Sequence, residues 1–99
     1  MIISVKKSQK PNKKYVATFK LEDGTKRSTH FGQKGSKTYL DHKDKSKREA
    51  YRKRHAIDLE TDDAIRPGYL SYYLLWGDHT NLKDAVKAYN KRFFGLLQF

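Results

Sequence analysis

Four histidines, eleven carboxylates and a dense run of cations are the side chains of this sequence that could do chemistry. His30, His42, His55 and His79 show no His-x-x-x-His spacing, and there is no cysteine to join them, so no metal site is expected. Asp41 with Asp44, and Asp62 with Asp63, are the neighbouring carboxylates. Catalytic carboxylates need a cleft and shifted pKa values; in a chain of net charge +11 the simpler role is charge compensation. Gly32-Gln33-Lys34-Gly35 has the Gly-x-x-Gly form of a backbone clamp in some RNA-binding domains. That clamp needs a helix on both sides, whereas a strand precedes it here. Nucleophile elbow, phosphate loop and cofactor fingerprint are lacking. The sequence predicts no catalytic residue, metal, cofactor or small-molecule substrate, and hence not an enzyme.

The cations carry the stronger signal. Lys43, Lys45, Lys47, Arg48, Arg52, Lys53 and Arg54 fall within thirteen residues, and Lys87, Lys91 and Arg92 form a second group. Lysine plus arginine number 22 against 11 acids, beyond the ~2–8 net charges that solubility asks of a small domain. Such a field attracts polyanions. On a helix the first group presents a wide cationic face, and each neutralised phosphate releases counterions. Nucleic acid and acidic protein surfaces are the candidate partners.

The elements that position these groups follow from the pattern of apolar residues. Arg66–Trp76 is the densest apolar segment, with seven of eleven residues Tyr, Leu or Trp. Pro67 suits a first helical turn and Gly77 an end, so Pro67–Trp76 reads as a short helix, apolar nearly all round and therefore buried. Residues 2–8 read as a strand, and Pro11-Asn12 as a turn. Tyr15 to Leu21 alternates as a half-buried strand. Glu22-Asp23-Gly24 closes a hairpin in one of two registers. A two-residue turn pairs Glu22 with Thr25 and puts Lys26, Ser28 and His30 beside Phe19. A three-residue loop pairs Leu21 with Thr25 and brings Phe31 beside Tyr15; Phe31 favours it, though Arg27 then shares the apolar face.

Residues 32–43 read as a loop anchored by Tyr39 and Leu40. Asp44 caps a helix Lys45–His55, whose thin apolar stripe is Ala50, Tyr51 and His55. Glu60–Asp63 is an acidic loop. Asn81 caps a last helix bearing Leu82, Ala85, Val86, Tyr89 and Phe93 on one face. The expected fold is α+β: a three-stranded antiparallel meander followed by three helices packed on one face. One small domain over residues 1–93 ends in an apolar tail, 94–99. Trp76, Leu96, Leu97 and Phe99 are the candidate apolar anchors toward a partner.

No membrane span and no signal peptide are expected. Phe31-Gly32, Tyr39-Leu40-Asp41-His42-Lys43-Asp44, Lys47-Arg48, Tyr51 and Arg54-His55, then Gly68-Tyr69-Leu70-Ser71, Leu74-Leu75-Trp76, Leu82 and Asn90-Lys91-Arg92-Phe93, form a succession of motifs. It resembles a family of small proteins of unknown function from nucleocytoplasmic large DNA viruses. Thr38-Tyr39 stands where that family has Asp-Tyr, and the chain after Phe93 falls outside the pattern. The resemblance implies a viral origin and a setting in the virion or the infected cell, and no activity. The reading is a basic structural protein, a minor capsid component packed against acidic proteins of the virion. The alternative is a sequence-nonspecific nucleic-acid binder.

Overall fold

The computed structural model describes residues 1–95. Three strands, β1 (Ile2–Lys7), β2 (Lys13–Lys20) and β3 (Lys26–Gln33), form an antiparallel meander in the order β1-β2-β3. The hairpin takes the three-residue form. Tyr15 faces Phe31 and Phe19 faces Arg27, Leu21 N–H donates to Thr25 at 2.9 Å, and Gly24 takes φ +87°. That positive φ is cheap for glycine alone. Arg27 shares the apolar side, as this register requires, but stays exposed.

Alternation puts Ala17, Phe19 and Phe31 on the inner face, each with no exposed surface. The helical half covers that face. Helix α1 (Tyr39–His42) is a single turn in the stretch read as loop, formed because Asp41 accepts hydrogen bonds from the Thr38 backbone and hydroxyl. Helix α2 (Lys45–His55) starts at its expected cap, Asp44. A 3-10 segment, Ala56–Thr61, occupies part of the expected acidic loop.

The apolar segment divides into α3 (Pro67–Leu70) and a π turn, Ser71–Leu75. It buries Tyr69, Leu70, Leu74 and Leu75. Helix α4 (Leu82–Phe94) starts at Asn81, whose side chain accepts from Asp84 N–H, and buries Ala85 and Tyr89. Full burial of each large apolar side chain contributes about 1.5–3 kcal/mol.

Two buried phenols are satisfied by main-chain carbonyls. Tyr69 donates to Leu59 at 3.0 Å and Tyr89 to Ala64. Burial pushes the Tyr89 phenol far above its ordinary value, so it remains a donor. Gly32 ends the inner face at φ +78°, where a Cβ would lie 3.0 Å from Leu75 Cδ1. Asn90 of α4 grips the start of β1: it accepts from Ile2 N–H at 2.8 Å and donates to Ile2 C=O at 3.0 Å. Phe94 closes α4 with its ring 6.1 Å from that of Phe19. The expected anchors Leu96, Leu97 and Phe99 lie outside the described residues.

Candidate nucleic-acid interface

Helix α2 has no fully buried residue. It docks through Arg48, Tyr51, Arg52 and His55, which share one face at helical spacing. Ala50, expected in that stripe, is exposed. The Arg48 guanidinium lies 4.7 Å from the centre of the Tyr39 ring. Arg52 donates from Nε to the Trp76 carbonyl and from Nη2 to Asp78, both at 2.8 Å. Hydrogen bonding to Arg52, with Arg48 nearby, holds the Asp78 carboxyl below its usual value. The two arginines are therefore the bolts that fix α2 to the turn after Trp76, and their side chains are only 15% and 21% exposed.

Between the bolts runs an aromatic column. The Tyr51 ring stacks on Trp76, at 4.4 Å and 6°, and on His55, at 4.1 Å and 20°. His42 approaches Trp76 at 5.3 Å, and His55 Nδ1 meets Asp58 Oδ2 at 3.0 Å. Gly68 lets Asp58 lie close, since a Cβ there would come within 2.8 Å of it. Trp76, read as an anchor toward a partner, is partly buried in this column.

The other cations of the helix region point outward. Lys43, Lys45, Lys47, Lys53 and Arg54 are exposed. The arginine–carboxylate pairs of α2 are made by Arg48 and Arg52. At 100° per residue, Lys47 and Arg54 share one flank while Lys45 and Lys53 lie toward the other. The cationic surface thus wraps the helix rather than forming a stripe. Arg54, Lys13 and Lys37 border an open groove of about 640 Å³ that exposes an edge of Tyr51, His55 and Trp76. On α4, Lys87 and Lys91 are exposed beside His79, whereas Arg92 lies over Tyr73 at 4.8 Å.

His30, His42 and Asp41 each have a local partner, while the buried Nε2 of His42 has none among the described residues. His30 Nδ1 lies 2.7 Å from Ser8 Oγ, and His42 Nδ1 accepts from Asp44 N–H at 3.0 Å. Backbone hydrogen bonding from Thr38, with the Lys14 ammonium, lowers the Asp41 carboxyl. Among the described residues no three histidines or carboxylates gather as a metal site, and no helix is long and apolar enough to cross a membrane.

A model of a family of unknown function (DUF5754) matches residues 3–55, more than half of the chain. The chain belongs to that family. The DUF5754 match takes in the sheet except Ile2, then α1 and all of α2. It therefore includes His42, Tyr51 and His55 of the column but ends before Trp76. No curated protein and no solved structure matches the chain.

Sequence reasoning missed the division of labour on α2. The signal was present: Arg48/Arg52 and Tyr51/His55 are two i, i+4 pairs that fall on one face.

Proposed function

We propose that this protein is a non-enzymatic nucleic-acid binder that works through phosphates, with little base readout. The observation that carries the reading is the sorting of cations on α2. Arg48 and Arg52 are tied to Asp78 and to the Trp76 carbonyl. Lys43, Lys45, Lys47, Lys53 and Arg54 face solvent. A strand of phosphates supplies the charge such a surface lacks. The pairing of His55 with Asp58, Asp41 with Thr38 and Asp78 with Arg52 supports structural rather than catalytic roles for these groups.

Fluorescence anisotropy on a random DNA duplex, titrated with salt, tests the reading. Wild type should bind with log K falling by several units per decade of salt. The triple variant Lys45→Gln, Lys47→Gln, Lys53→Gln should flatten that slope by up to about three units. Absence of binding at ~100 mM salt would sink the proposal, since cation–phosphate pairing should still hold there.

A second reading comes from the resemblance of the motifs to a protein family of large DNA viruses and from the apolar Leu96, Leu97 and Phe99. It makes the protein a minor virion component held by acidic capsid proteins. Proteomics of purified particles tests it, and absence from the particle would remove it.

A further inference from the structure

The net charge is not shared evenly along the chain. Residues 1–40 hold ten lysines and arginines against two acids, whereas residues 41–99 hold twelve against nine. The sheet half therefore carries eight of the eleven net charges. The three strands themselves contain no Asp or Glu.

The strand register sorts these residues by face. Ala17, Phe19 and Phe31 pack under the helices. On the opposite face, the pairing lines up Lys6 with Val16 and His30, then Ser4 with Thr18 and Ser28, then Lys20 with Lys26. Lys6, Lys20, Lys26 and Ser28 are exposed. A row of hydroxyls thus crosses the middle of an open face, with ammonium groups at both ends. Ser8 holds the His30 ring beside it.

We infer that this open sheet face is a docking surface for B-form duplex DNA, lying in the major groove. The inference rests on the nucleic-acid reading above and adds to α2 a second, separate surface. Strands ~4.8 Å apart give a three-stranded sheet about 10 Å across. The major groove is about 12 Å wide. Lys6 on edge strand β1 and Lys26 on edge strand β3 reach the two phosphate walls, with the charge of Lys20 between them, while Ser4, Thr18 and Ser28 face the base edges. A hydroxyl both donates and accepts, so such a row tolerates any base pair and reads little sequence. The major groove of duplex RNA is too deep and narrow to admit a sheet, so duplex DNA is the partner this face selects.

The test compares the full chain with two sheet variants. One is Lys6→Gln, Lys20→Gln, Lys26→Gln; the other is Ser28→Glu, a carboxylate on the exposed edge strand. Probes are a random DNA duplex, one of its single strands, and the same sequence as duplex RNA. The lysine variant should lose at least tenfold in duplex DNA affinity, with the salt slope reduced by about three. Ser28→Glu should weaken duplex binding comparably while circular dichroism stays native. Methyl green, which occupies the major groove, should displace the protein, and netropsin, which occupies the minor groove, should not.

Sheet variants that bind duplex DNA like wild type, while the α2 variant does not, would overturn this surface and leave the phosphate reading standing. Equal wild-type affinity for duplex RNA and DNA would overturn the groove assignment. A wild type that binds only acidic protein and no nucleic acid would overturn both readings.

Discussion

Replacing Asn90 by alanine tests whether the first strand is held in place by the last helix. One carboxamide bonds both main-chain groups of Ile2, at 2.8 and 3.0 Å, across 88 residues of sequence. Ile2 is itself only 2% exposed, so water does not readily replace the lost partners. Each hydrogen bond contributes a net ~0.5–1.5 kcal/mol, and a buried group left unpaired costs about 1–3 kcal/mol. The expected loss is therefore about 2–3 kcal/mol, a large share of the ~5–15 kcal/mol of a typical domain. Asn90→Asp should be at least as damaging at neutral pH, because a carboxylate oxygen then faces the Ile2 carbonyl oxygen. Urea unfolding followed by fluorescence of Trp76, the sole tryptophan, measures both. A loss below about 0.5 kcal/mol for Asn90→Ala, or an Asp as stable as the Asn, would refute the clamp.

Two further perturbations probe the attachment of α2. At Gly77 a Cβ would lie 2.2 Å from the Tyr73 carbonyl oxygen, so Gly77→Ala must shift the turn that carries the Arg52 contacts. A loss of about 2–3 kcal/mol and a weaker near-ultraviolet signal from the Tyr51–Trp76 stack are expected; an unchanged melting temperature would contradict this. The lowered Asp78 carboxyl makes a stability contribution that is present above its unfolded value, near 4, and lost as pH falls through the folded one. Its side chain is 77% exposed, which limits the contribution to about 0.2–1 kcal/mol. The difference between wild type and Asp78→Asn should hold steady above pH ~5 and shrink in more acidic solution; a difference that grows on acidification would be inconsistent with the pairing.

The meander, the hairpin register and helices α2 and α4 were legible because each has a local signature. Alternation marks a strand, Asp44 and Asn81 mark helix starts, and Phe31 selects between registers differing by one residue. The single turn at Tyr39–His42 was not legible, because its stability comes from the Asp41 side chain folding back on Thr38 rather than from periodicity. The attachment of α2 was hidden for a related reason. Its inner face uses arginine and aromatic residues where an apolar stripe is normally sought, and the partners Trp76 and Asp78 come from more than twenty residues away. The charge contrast between the two halves was countable from the sequence. Its concentration on one face required the strand register.

The π turn has a consequence for how this chain tolerates change in length. In Ser71–Leu75 the Trp76 amide bonds back five residues, to Ser71, rather than four. One extra residue is thereby absorbed into the winding. Removing a single residue from this span would let an ordinary α-helix form, at little local cost. The Trp76 amide would then bond back four residues from about the same place, so the indole would keep its slot between the rings of α2 and α1. The wide turn acts as a length buffer, letting this segment shed one residue while the indole stays in register.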